Sequence, residues 1–180
     1  MRRIMLVLAM ATTLAVTAVG VSVAQIEEDE ALPIAGMTCD GGTIELNSTE
    51  ERILDLHNQV RADNGLSPLC VNPILTDAAR AHSQDMLDEG YFSHTSPDGE
   101  TYPARLERFG YTSTGYGDYA VGENIGEGSG SLGEPDAIFE KWMNSSDHRD
   151  NILSEGFQEI GIGARVGNVT MYTVDFGTRQ

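Results

Sequence analysis

Three polar residues of the sequence stand next to predicted turns and are of the types that bind metal ions or transfer protons. They are His94, Glu123 and His148. Neutral imidazole nitrogens are good ligands for zinc and similar divalent cations, and a carboxylate can complete such a site or orient its water. Because the three residues lie far apart in the sequence, their spacing leaves two interpretations open: a metal site, or hydrogen-bonded structural residues.

The common catalytic motifs are missing from the sequence. The sequence contains no HExxH, no GxSxG, no Walker phosphate-binding loop and no EF-hand loop. The chemistry of the chain therefore depends on these three residues and on the elements that position them.

Two long helices are predicted in the first half of the chain. The first should begin near Ser48, where Ser48 and Glu51 match a capping box, and should end by Gly65. The second should follow the Asn72-Pro73 pair and continue one apolar face to a stop at Gly90. His82 lies on that face and is predicted to be a core histidine.

The second half changes from helical to strand periodicity. Apolar residues alternate over residues 160–175 around a Gly167-Asn168 turn, which predicts a terminal β-hairpin. Helices first and strands last, with no alternation of the two, predict an α+β fold. The other predicted elements are a helix at 101–109, a strand at 119–125, a helix after Pro135 and an irregular segment at 144–151.

The first residues carry an export signal. Arg2 and Arg3 precede an uncharged apolar run that ends in small residues, so we predict a signal peptide over residues 1–24. An N-terminal extension over residues 25–47 and one domain over residues 48–180 should follow. The alternative is an uncleaved membrane anchor, since about 18 apolar residues can just span a bilayer.

The two cysteines, Cys39 and Cys70, are predicted to form a disulfide bond once the chain reaches an oxidising compartment. This bond would hold the N-terminal segment against the domain.

The chain is strongly acidic. Its formal net charge is −17, and loss of Arg2 and Arg3 with the signal would make it −19. Such a charge repels nucleic acid and anionic lipid surfaces, so we expect no nucleic-acid partner. It also favours solubility and attracts cations.

Several motifs, taken in order, resemble the bacterial branch of the CAP (SCP) superfamily, which includes cysteine-rich secretory proteins and plant pathogenesis-related proteins. The resemblance covers residues 48–176. It is carried by Ile53 to Asn58 with Arg61, Ala79-Arg80-Ala81-His82-Ser83, Phe92-Ser93-His94, Gly122-Glu123-Asn124-Ile125, Trp142 with His148-Arg149 and Asn151-Ile152, and Ile160-Gly161-Ile162-Gly163.

This resemblance implies a three-layer α-β-α sandwich with a mainly antiparallel central sheet and a cleft with two histidines and two glutamates. The histidines match His94 and His148, and the first glutamate matches Glu123. The second glutamate of the animal and plant members falls on Ser145 here. The expected metal site therefore consists of His94, His148 and Glu123, with zinc as the expected metal.

The resemblance implies a secreted or envelope-facing monomer that binds a divalent metal and an extracellular ligand, either a small molecule, a lipid, a glycan or a protein. One alternative is a metal-assisted hydrolase of peptide or cell-wall substrates, with Glu123 as general base. Another is an interaction module that binds through its acidic surface. His57, Asn58 and Arg61 are predicted to form a polar network that holds loops to the first helix.

Overall fold

The computed structural model describes residues 34–180. The predicted signal peptide lies outside this part of the chain, as does the beginning of the predicted extension. The described chain starts with a hairpin of two strands, β1 (Ile34–Met37) and β2 (Thr43–Leu46). A disulfide joins Cys39 to Cys70 with an S–S distance of 2.08 Å, which confirms the predicted pairing.

Helix α1 (Ser48–Asp63) begins where it was predicted, but its cap is different. Asn47, not Ser48, is the N-cap: its side chain accepts a hydrogen bond from the Glu50 backbone, and the Glu50 side chain accepts one from the Asn47 backbone. Glu50 is fully buried and pairs with Arg80 at 2.5 Å. This buried ion pair holds the Glu50 side chain at the N3 position, so the capping box is one residue earlier than predicted.

Asn58 and Arg61 of α1 hold loops, as predicted, but His57 does not. It is fully buried, and its Nδ1 bonds to the carbonyl oxygen of Ile53 in its own helix. Arg61 donates hydrogen bonds to the carbonyl oxygens of four residues, and Asn58 exchanges two hydrogen bonds with the backbone of Leu69. The acceptors of Arg61 are Ser67, Ile152, Ser154 and Phe157.

The second and third helices match the sequence prediction closely. Helix α2 (Pro73–Glu89) has Asn72 as N-cap, and Gly90 ends it in the left-handed conformation with φ of 67°. Helix α3 (Tyr102–Phe109) follows after an irregular loop over residues 91–101, which carries His94.

The central sheet has four strands in the order β3-β5-β6-β4. Strand β3 (Cys70–Val71) runs parallel to β5 (Glu159–Val166), and the other two pairings are antiparallel. Strands β5 and β6 (Thr170–Arg179) form the predicted hairpin, and β4 (Tyr119–Gly128) is three residues longer than predicted.

Helices cover both faces of the sheet, so the structure shows the expected α-β-α sandwich. On one face α1 and α4 (Pro135–Asn144) bury Ile53 and Trp142 against β5 and β6. On the other face α2 lies so close to β5 that a Cβ atom added at Gly163 would come within 2.3 Å of the Ala79 backbone. Glycine is needed at such a close approach.

Residues 146–152 form a short helix, α5 (Ser146–Ile152), whereas the sequence predicted an irregular segment. Ser145 takes an extended conformation between α4 and α5, so the chain changes direction there. Helix α5 is almost entirely polar, and only Ile152 in it is buried. It therefore has no apolar periodicity from which a helix could be predicted.

Side chains from α4 and α5 bond to the open edge of β4. Trp142 Nε1 donates to the carbonyl oxygen of Ile125 at 2.8 Å, and Asn151 Nδ2 donates to the carbonyl oxygen of Glu123 at 3.4 Å. These bonds replace part of a neighbouring strand. The Asn124 side chain of β4 in turn donates to the carbonyl oxygen of His148 at 3.0 Å. Together these bonds fix α5 beside the strand that carries Glu123.

Within residues 34–180, no helix is both long enough and apolar enough to cross a bilayer.

Candidate functional site

Glu123 lies at the centre of the candidate site, in the middle of β4. It is buried, and both of its carboxylate oxygens are engaged. Oε1 lies 2.7 Å from Nδ1 of His94, and Oε2 is bonded to Arg105. A carboxylate in an ion pair can only accept hydrogen bonds, so Nδ1 of His94 must carry the proton. In the neutral ring Nε2 of His94 then keeps its lone pair.

The loop over residues 91–101 places His94 in front of Glu123. His82 anchors this loop, because its Nε2 lies 2.9 Å from the carbonyl oxygen of Ser93. The hydroxyl of Tyr91 donates to Asp85 and accepts a hydrogen bond from Ser96 Oγ at 3.2 Å, on the other side of His94. His82 is 1% exposed, as predicted for a core histidine. The His94 side chain is 48% exposed and so faces solvent.

His148 lies on α5, which the Asn124 bond holds beside β4. Its Nδ1 is buried and has no hydrogen-bond partner among the described residues. Burial, and then the nearby His94 ring, lower the pKa of His148 below its usual value. The structure thus bonds His94 directly to Glu123 and places His148 near this pair without a direct bond to either.

Arg105 is a site residue that the sequence motifs did not indicate. Its side chain, on α3, is 2% exposed and forms an ion pair with Glu123. One signal in the sequence was available: Arg105 lies three residues after Tyr102 and four before Phe109, on the apolar face of the predicted helix.

Asp175 is the second residue that the motifs missed. In the β4–β6 register it lies directly opposite Glu123, and it is completely buried. Neither of its carboxylate oxygens has a hydrogen-bond partner in the described chain. Burial, and then the charge of Glu123, raise the pKa of Asp175 well above its usual value. The folded structure therefore favours the protonated form of Asp175.

Ser145, where the resemblance places the second glutamate, lies between α4 and α5. It lines a cavity of about 230 Å³ together with Trp142 and His148. Among residues 34–180, no three His, Cys, Asp or Glu side chains are arranged to hold a metal ion together. The bonds of Glu123 to His94 and Arg105 explain why its carboxylate is not free for that purpose.

Comparisons with known proteins agree with the resemblance seen in the sequence. The model of the cysteine-rich secretory protein family (CAP) matches residues 54–176. YkwD, an uncharacterized protein of Bacillus subtilis, is 38% identical over 118 residues, which are 66% of this chain and 43% of that protein. The chain spans less than half the length of the curated relatives that it matches.

Solved structures show the same fold. An extracellular protein of Bacillus anthracis that contains an SCP domain is 35% identical, with a TM-score of 0.61 over 74% of this chain and 41% of that one. An outer surface protein of Borrelia burgdorferi has a TM-score of 0.65 at 19% identity, over 76% of this chain and 97% of that one. The second likeness concerns the fold alone.

Proposed function

The chain belongs to the cysteine-rich secretory protein (CAP) family, and we propose that it is an extracellular binding domain whose cleft holds a divalent cation, with zinc as the expected metal, through His94 and His148. A cation held by these two side chains would leave room for an extracellular ligand. A bound zinc ion supplies Lewis acidity there.

The observation that carries this proposal is the bond from His94 Nδ1 to Glu123. Metal-binding histidines commonly donate their other ring N–H to a carboxylate, which fixes the tautomer and the ring orientation. Glu123 holds His94 in this way and leaves Nε2 for a metal. We therefore assign Glu123 the role of orienting His94, and not of the third ligand that the resemblance implied.

The donor set fits a borderline-soft divalent cation. Two imidazoles suit zinc, copper and nickel better than calcium or magnesium, which prefer oxygen ligands. The buried Nδ1 of His148 has no partner among the described residues, so a metal would satisfy a polar atom that is otherwise unpaired.

Two observations support an extracellular location. The Cys39–Cys70 disulfide requires an oxidising compartment for its persistence. The Bacillus anthracis relative is described as an extracellular protein. The predicted export signal agrees with both.

The engagement of Glu123 favours binding over hydrolysis. A general base must have an oxygen free to accept a proton from water. Both oxygens of Glu123 are bonded, one of them to a buried arginine. The alternative of a metal-assisted hydrolase requires one of these bonds to break on substrate binding.

Zinc titration by calorimetry tests the proposal. The wild-type protein should bind about one zinc ion, and the His94→Ala/His148→Ala variant should bind none at that site. Glu123→Gln should weaken binding about 10- to 100-fold, as is typical of a residue that orients a ligand. Asp150→Asn removes an exposed carboxylate from the same helix as His148 and should leave binding unchanged.

Identical heats for the wild type and the double-histidine variant would refute the metal site. They would show that zinc binds the acidic surface in general.

A further inference from the structure

We propose that the protein has a second ligand site, which binds a protonated amine that also carries a neutral hydrogen-bond acceptor. The site is a cavity of about 430 Å³ between α2, the loop over residues 91–101 and α3. We call it the acidic pocket, and its lining includes Asp85, Glu89, Asp98, Glu100 and Arg105. Its volume is in the range of small-molecule sites.

The acidic pocket is separate from the metal cleft. None of His94, Glu123 and His148 lines it. The loop over residues 91–101 is nevertheless a wall of the pocket and also carries His94. The two sites thus share this loop, but none of the residues proposed to bind the metal lines the acidic pocket.

Arg105 is a buried arginine among the residues that line this pocket. The residue is 1% exposed, and its Nη2 is bonded to Glu123. Its Nε and Nη1 are buried and have no hydrogen-bond partner in the described chain. A buried donor without an acceptor is unfavourable, so an acceptor group that reaches Arg105 from the pocket would be bound favourably.

The charge of the pocket indicates the charge of the ligand. Arg108 neutralises Glu100 through two hydrogen bonds of 2.6 and 2.8 Å, and Glu123 neutralises Arg105. Asp85, Glu89 and Asp98 have no ion-pair partner among residues 34–180. Three uncompensated carboxylates attract a cation and disfavour a carboxylate ligand, so the acceptor must be neutral.

An organic ammonium ion fits this arrangement better than a metal ion. No three carboxylates of the described chain converge on one metal position. An ammonium group, by contrast, has three separate donors and can bond to carboxylates that stand apart. The ligand therefore combines an ammonium group with an amide carbonyl or a hydroxyl, as in the first residue of a peptide or in an amino sugar.

NMR titration of the purified protein with small probes tests this site. Glycinamide represents the peptide source and glucosamine the amino-sugar source. Acetamide and N-acetylglucosamine lack the positive charge, and ethylamine lacks the acceptor. At least one of the two charged probes should give saturable shifts of the amides of residues 85–100, with a Kd on the order of millimolar for so small a ligand.

Two comparisons make the experiment decisive. Glu89→Gln/Asp98→Asn removes two pocket carboxylates without touching Arg105 and should weaken binding at least 5-fold. Glu107→Gln/Asp77→Asn makes the same charge change at exposed positions outside the pocket and should weaken it less than 2-fold. Ethylamine should bind at least 5-fold more weakly than glycinamide or glucosamine, whichever binds.

Three results would overturn the proposal: no saturable shift with either charged probe, equal weakening in both double variants, or equal affinity for ethylamine. The titration is repeated with a chelator and with His94→Ala/His148→Ala. We expect the affinity for the amine probe to be unchanged both with the chelator and in the variant. Loss of this affinity would show that the amine binds in the metal cleft instead.

Discussion

At the scale of single residues, Glu123 has a buried arginine on one side, a histidine on the second and a buried aspartic acid across the strand pair. One arginine faces two carboxyl groups that are both buried, which favours a proton on one of the two acids. Asp175 is that acid, because burial raises its pKa while Arg105 pairs with Glu123.

Asp175→Asn should therefore stabilise the protein at neutral pH. The unfolded chain ionises Asp175 above its usual pKa of about 4, whereas the folded chain resists ionisation, so stability from this residue falls as pH rises. Asparagine removes this penalty, and we expect Tm at pH 7.5 to rise by about 3 °C or more.

This gain should shrink as the pH falls towards 4, because the unfolded wild-type chain then also begins to bind a proton at Asp175. Thermal unfolding at pH 7.5 and 4.5 measures it, with Asp150→Asn as the exposed control. A Tm that falls equally at both pH values would contradict the neutral form of Asp175.

His57 makes the opposite contribution to the pH dependence. It is fully buried, and burial lowers its pKa to about 4. The unfolded chain binds a proton below about pH 6.5, so the stability due to His57 is complete above that pH and falls towards pH 4. The expected loss is about 3 kcal/mol by pH 4.

His57→Asn keeps an N–H for the Ile53 carbonyl, which lies 2.7 Å from Nδ1 of His57, but it cannot take up a proton. Urea unfolding of the variant should show a lower free energy of unfolding at pH 7.5, because packing is lost. The free energy of unfolding should also change less between pH 7.5 and 4.5, by about 2 kcal/mol, than it does in the wild type. An unchanged pH dependence would exclude His57 as its source.

At the scale of elements, the site depends on how closely α2 lies against the sheet. Gly161 and Gly163 of β5 face the backbone of α2, where added Cβ atoms would come within 2.1 and 2.3 Å of backbone atoms. Helix α2 holds His82, and His82 holds the loop that carries His94. The distance between α2 and β5 thus bears directly on the position of His94.

Gly163→Ala should be severely destabilising. The contact is with backbone atoms, which cannot rotate away, so we expect a loss of at least about 3 kcal/mol, at the upper end for overpacking. Urea unfolding measures it. Gly156→Ala is the matched control. Its added Cβ atom would lie 3.4 Å from the Ser154 hydroxyl oxygen, an ordinary contact distance, so the free energy of unfolding should fall by less than about 1 kcal/mol. Equal stability of the two variants would contradict the packing argument.

At the scale of the whole molecule, the Cys39–Cys70 disulfide ties the N-terminal hairpin to the edge of the sheet. The bond joins residues 31 positions apart, and the Cys39 backbone also donates to the carbonyl oxygen of Val71 at 3.2 Å. The hairpin, which lies in the predicted extension, is thus held against the sandwich, as the predicted disulfide implied.

Cys39→Ala/Cys70→Ala should lower the free energy of unfolding by about 3–4 kcal/mol, because the unfolded chain regains the freedom of the closed loop. Chemical denaturation of the variant measures this loss, and reduced wild-type protein should behave alike. A loss below about 1 kcal/mol would mean that the hairpin holds itself in place without the bond.

The family and the elements with strong local signals could be predicted from the amino-acid sequence alone. Caps and apolar periodicity predicted α2 and α3 to within a residue or two, the Gly167-Asn168 turn predicted the terminal hairpin, and the two cysteines allowed one pairing. The partners of Glu123 could not be predicted, because they depend on tertiary packing. Arg105 and Asp175 lie 18 and 52 positions away, and strand register and helix packing bring them together. Such contacts follow from the burial of whole elements and leave no short-range period in the chain.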